Sequence, residues 1–176
     1  MKRITITFLA TLASSLVNAA EYPNLDTIEI GKAFPHPRAD AFPDLNRPTT
    51  QYKVPNYGST KDIFSEYQVV ILNEVKKVVI VSAEASFATD KACEDNKKKL
   101  KSIIQARFPG FNEREGKELN LRGIRSAYVK DDVNTFYTLN CMRKYGPFAI
   151  LDYHIRGKKE DKELNAAWKT FFSKKR

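Results

Sequence analysis

The chain has 176 residues, with 30 Lys+Arg against 21 Asp+Glu and a formal charge of +9. That length holds one domain with a real core, and the basic balance favours acidic partners without bearing on the fold. Seven glycines, with no GxGxxG or GxSxG element among them, exclude the phosphate-cradling loop and the nucleophile elbow.

Met1-Lys2-Arg3 places two cations before an uncharged, mostly apolar run from Ile4 to Val17, and Asn18-Ala19-Ala20 follows. A basic start, a short apolar stretch and a small-residue exit are the marks of a cleavable export signal. The run is too short, and too interrupted by Thr and Ser, for a spanning helix of about 20 apolar residues. Residues 1–20 are therefore expected to be a signal peptide, and the mature protein to be periplasmic or secreted, of bacterial type, and not membrane-spanning. The signal holds two of the basic residues and no acidic one, which leaves 28 against 21, a mature charge of +7.

Residues 21–60 carry six of the eight prolines: Pro23, Pro35, Pro37, Pro43, Pro48 and Pro55. Proline removes a donor and restricts its predecessor, so this stretch reads as an extended arm anchored by scattered aromatics. It would contain at most a short strand near Thr27–Ile30. Residues 61–176 are expected to be a single α+β domain.

Tyr67–Leu72 and Lys77–Ala85 are dense in β-branched residues and read as strands joined by a loop at Asn73-Glu74-Val75-Lys76. Ile63, Phe64, Tyr67, Val70 and Ile71 also fit helical spacing, so strand and helix compete over 61–75. The clearest helix follows. Thr89 or Asp90 can cap it, Cys93, Leu100, Ile103, Ile104 and Phe108 form one face, and Pro109-Gly110 ends it. Residues 111–121 read as a polar loop. Three strands follow at Arg122–Lys130, Thr135–Arg143 and Phe148–Arg156, the first two joined by a turn at Asp131-Asp132-Val133-Asn134. A last helix, Lys162–Ser173, has Leu164, Ala167, Trp168, Phe171 and Phe172 as its apolar stripe. The order ββαβββα predicts an antiparallel sheet of about five strands with two helices packed on it.

Cys93 and Cys141 are the only cysteines. An even count in an exported chain predicts one disulfide, and the absence of a CxxC spacing argues against a redox pair. Alternation then puts Tyr137, Leu139 and Cys141 towards the first helix, with Phe136, Thr138, Asn140 and Met142 on the other side.

Chemistry is sparse. Asp152 and His154, two apart on the last strand, share a face and are the candidate catalytic pair of a small hydrolase, without a nucleophile to go with them. His, Cys and carboxylates do not cluster at metal spacing, so no metal or cofactor is expected. Lys97, Lys98, Lys99 and Lys101 line the outer side of the first helix, and Lys158-Lys159 and Lys174-Lys175-Arg176 bracket the last. Acidic residues alternate with these lysines and the aromatics fall on apolar faces, which disfavours nucleic acid.

By elimination the chain reads as an exported, non-catalytic binding module. Its expected partner is another protein of the cell envelope, the concrete form being an inhibitor or immunity protein for an envelope-targeting enzyme. The alternative is a binder of anionic polymer or lipid through Lys97, Lys98, Lys101 and the other lysines. Candidate contact surfaces are the arm, the Asn112–Asn120 loop and the sheet face with Phe136, Asn140, Met142 and His154.

Overall fold

The computed structural model describes residues 25, 28–34, 40–42, 47–115, 126–130, 133–143 and 147–174. Its strands are β1 (Asp40–Phe42), β2 (Thr49–Pro55), β3 (Glu66–Leu72), β4 (Lys77–Phe87), β5 (Asn112–Glu115), β6 (Ser126–Val129), β7 (Thr135–Met142) and β8 (Ala149–Gly157). Its helices are α1 (Asp90–Arg107), between β4 and β5, and α2 (Lys158–Ser173), after β8. All strands join one antiparallel sheet in the order β1-β2-β3-β4-β8-β7-β6-β5, so the last strand completes the centre.

The α+β class and the two helices are as the sequence implied, but the sheet is larger than about five strands. Seven strands have four residues or more, and three-residue β1 adds an eighth at the edge. The stretch read as an arm supplies β1 and β2. Its prolines sit at strand boundaries: Pro48 stands just before β2, and Pro55 is its last residue, opposite Glu66. There a missing donor breaks no ladder. The stretch read as a polar loop supplies β5, an edge strand whose charged sequence NERE carries no period-two apolar signal. Strand wins over helix at Glu66–Leu72, and residues 73–76 turn as expected, with Lys76 at φ 53°.

Both faces of the sheet are covered. On one, α1 packs over β4, β7 and β8. Cys93, Leu100 and Ile104 are buried there against Val81, Ala83, Leu139, Leu151 and Tyr153. Leu100 is fully buried, and such a side chain contributes roughly 1.5–3 kcal/mol. Thr89 caps the helix by accepting the Ala92 N–H at 3.1 Å. On the other face α2 meets Val70, Leu72, Val79 and Ile80 through Leu164 and Ala167. A register shift at Val70/Ile71 leaves Val78 on the α1 side and sends Val79 and Ile80 to the α2 side.

Helix α2 begins at Lys158, four residues before the expected start. The cause is non-local. Asn134, just before β7, accepts from the Lys158 N–H with its carbonyl at 2.9 Å and from the Lys159 N–H with Oδ1 at 3.0 Å. Its Nδ2 donates to Glu160 Oε2 at 2.7 Å. Free N–H groups of a first turn need such acceptors, and here another strand provides them.

Candidate functional site

The Asp152–His154 pair is real. The two side chains project from β8 on the α2 face, with His154 Nε2 2.9 Å from Asp152 Oδ1. His154 lies opposite Ser82 on β4 and Thr138 on β7, and Asp152 lies opposite Glu84 and Asn140. Neither hydroxyl bonds the imidazole, because Nδ1 is buried and has no hydrogen-bond partner. A nucleophile–base contact, which acyl transfer requires, is thus missing from this geometry. The carboxylate holds one ring nitrogen, and neither Ser82 nor Thr138 is bonded to the other.

The other sheet-face candidates divide between buried and partly exposed positions. Phe136 and Asn140 are buried, Phe136 in a small cluster with Ala127 and Val129, while Met142 and His154 are partly exposed. Of the lysines on α1, Lys97 stands 3.7 Å from Glu94, and Lys101 bonds Glu113 at 3.0 Å and lies 5.2 Å over the Tyr128 ring. Lys98 is exposed. Cys93 and Cys141 are bonded to each other, tying the first turn of α1 to β7. A buried disulfide is the mark of an oxidising compartment. The Asn112–Asn120 loop is described only to Glu115. Of the arm, residues 21–24, 26–27, 35–39 and 43–46 lie outside the described residues.

Beneath α1, Phe108, Phe111, Tyr128 and Tyr137 stack, with Tyr128 and Tyr137 4.8 Å apart and nearly parallel. Burial pushes both phenols well above their ordinary range. The nearby Glu113 carboxylate adds to this through a hydrogen bond to Tyr128. Buried, neutral phenols are packing elements, and no acid–base chemistry follows from them at neutral pH.

Two surfaces have features that the sequence reading did not single out, and the first begins inside the stretch read as the arm. The first is the connection between β2 and β3. Asn56, buried, donates from Nδ2 to Thr60 Oγ1 at 3.0 Å and to the Phe64 carbonyl at 2.9 Å, and its Oδ1 accepts the Gly58 N–H at 3.1 Å. The Asn56 N–H donates to the Ser65 carbonyl, closing the loop at its neck. Phe64 has no exposed surface and stacks on Tyr153. On this frame stands Tyr57, 65% exposed. No N-G turn signal marks this loop, whose shape is fixed by the bonds of Asn56 together with those from the Lys61, Ile63 and Phe64 N–H groups to the Gly58 and Thr60 carbonyls.

The second surface is the distal end of α2. Glu160 is the helix's only buried residue. Trp168, Phe171 and Phe172, expected as core, instead contact one another with ring centroids 5.5 Å apart, and Phe172 is 59% exposed. Beside them a groove of about 540 Å³ runs between α2 and the β3–β4 turn, with Leu72, Val75, Ala167 and Phe171 in its lining. Among the described residues no group of three or more His, Cys, Asp or Glu stands together as a metal site. No helix of the described residues is long and apolar enough to cross a membrane. Comparison with protein-family models, curated proteins and solved structures finds no match.

Proposed function

We propose that this chain is an exported, non-catalytic binding module that acts by seating the loop at residues 56–65 in a cleft of another envelope protein. In its most concrete form it is an inhibitor or immunity protein for an enzyme that attacks the envelope. The observation that carries this reading is Tyr57 held out on a loop whose frame is internally bonded. A buried asparagine satisfied by three loop partners is a costly device if the loop has nothing to present, because buried polar groups must be paired. It removes the ordering entropy that a flexible loop would lose on binding. Tyrosine suits the tip, giving large contact area with few rotatable bonds.

The test is capture from envelope extract with the disulfide-bonded protein, followed by activity assay of any hydrolase retained through a high-salt wash. Stoichiometric inhibition that falls about thirtyfold or more in Tyr57→Ser, as expected of a central aromatic anchor, supports the reading. Equal inhibition by Tyr57→Ser moves the contact elsewhere and sinks the loop. Recovery of anionic polymer alone, released by salt, replaces a packed protein interface with counterion-driven binding.

A further inference from the structure

We propose that the distal end of α2, together with the β3–β4 turn, is an interfacial site for an anionic lipid bilayer. The site is separate from the loop at 56–65: successive antiparallel hairpins turn at opposite ends of a sheet, so residues 56–65 and 73–76 lie at opposite ends of β3.

The apolar part is exposed by construction. Leu164 and Ala167 attach α2 to the sheet, and the aromatic triad beyond them belongs to no buried cluster. Phe171 and Val75, itself 43% exposed, line the same groove between the helix end and the turn, where Arg47, Glu74, Glu163 and Lys174 stand among the apolar residues. Tryptophan is at home at the headgroup boundary of a membrane, and phenylalanine belongs to the apolar face of helices that lie in that interface.

Cations outnumber carboxylates around this surface, where Glu74 is exposed at the turn and Glu163 lines the groove. Lys162, Lys169 and Lys174 on or after α2, and Lys76 and Lys77 at the turn, are exposed. Each carboxylate of α2 has a partner of its own. Glu160 is buried against Asn134, Asp161 binds Arg156 at 3.1 Å, and Glu163 stands 3.8 Å from Lys159. The sequence continues with Lys175-Arg176. Long lysine stems can lie along apolar surface while their heads reach anionic headgroups. A protein partner would be expected to bring acidic residues to individual lysines. The aromatic end of the helix, with a surplus of cations beside it, is instead complementary to a continuous anionic interface.

The chain's single tryptophan, Trp168, sits in the site and reports on it. The purified, disulfide-bonded protein is mixed at low salt with vesicles of phosphatidylglycerol and phosphatidylethanolamine, and separately with vesicles of phosphatidylcholine. Cosedimentation with the anionic vesicles, a blue shift of Trp168 emission and its quenching by lipids brominated on the acyl chain are expected. The phosphatidylcholine vesicles should show at least tenfold weaker partition. Lys169→Glu with Lys174→Glu should weaken partition by well over the roughly fivefold expected for each lysine removed, and Phe172→Ser should abolish the blue shift. Tyr57→Ser should partition as the parent does, which separates this site from the loop. An unshifted Trp168 spectrum at saturating anionic lipid overturns the proposal, as does equal partition of Phe172→Ser. Binding to a soluble anionic polysaccharide with no vesicle-specific shift also overturns it, and this outcome does not depend on any variant folding.

Discussion

Three residues hold positions that their packing makes costly to change. Asn56 makes three loop bonds with one amide, and Asn56→Ala leaves the Phe64 carbonyl and Thr60 hydroxyl without that donor. The expected cost is about 1–3 kcal/mol, measured by urea unfolding, with Tyr57 becoming more accessible to chemical modification. Gly157 caps α2 where a Cβ would run into Glu160 Oε2 and come within 2.8 Å of Asn134 Nδ2 and Ile30 Cγ2. Gly157→Ala should therefore lower stability by about 1–3 kcal/mol through overpacking, read as a fall in Tm. Tyr137 is 1% exposed, and burial raises its phenol above the ordinary value, as it does for Tyr128. The sign follows from linkage. The folded state keeps protons that the unfolded state releases, so stability is intact below about pH 10 and declines as pH rises beyond it. Alkaline unfolding should thus coincide with the appearance of phenolate absorbance, and replacing both tyrosines with Phe should move the transition to higher pH.

The two helices differ in kind. Helix α1 has a local side-chain cap at Thr89, fully buried Leu100 and Cys93, and a bidentate Asp90–Arg143 pair that links its first turn to the residue after β7. Helix α2 has no side-chain cap of its own at Gly157 and rests on Leu164 and Ala167. Leu100→Ala should cost about 2–5 kcal/mol. Leu164→Ala, at a half-buried position, should cost roughly half of that or less by the same transfer logic. In hydrogen exchange the distal amides of α2 should open at lower free energy than those of α1, since local stability follows buried apolar contact. Equal protection of both helices would mean that the aromatic triad stabilises α2 by itself.

Across the whole molecule, one covalent link joins the α1 layer to the sheet. Cys93–Cys141 closes a loop of 48 residues, and loop-entropy arithmetic gives it about 4 kcal/mol. Cys93→Ala with Cys141→Ala should lose a comparable amount in denaturant unfolding, and reduction of the parent should reproduce the loss. The two presented surfaces lie at opposite ends of β3, so the molecule can touch a bilayer with one end and a partner with the other. Deleting one contact should leave the other intact, which vesicle partition and enzyme inhibition can follow separately.

The two-helix α+β class, the α1 span, the hairpin at 73–76, the faces of β7 and the cysteine pair were legible in the sequence. Each rests on a local signal: apolar periodicity, a Thr cap, a Pro-Gly stop, β-branched runs, or an even cysteine count. The strands β1 and β5 were hidden because a three-residue piece and a charged segment carry no strand period, while the alternation of Tyr52 and Val54 with Gln51 and Lys53 in β2 was masked by the prolines around it. The start of α2 was hidden because its cap comes from Asn134. The aromatic stripe of α2 showed the same apolar period as α1, yet most of it stays off the core. Period reveals which residues share a face, while tertiary placement decides how far along the helix that face has a sheet beneath it. Tyr57 likewise is one aromatic among many in sequence, and the bonds of Asn56 within the loop, with the stacking of Phe64 on Tyr153, fix the frame on which it stands exposed.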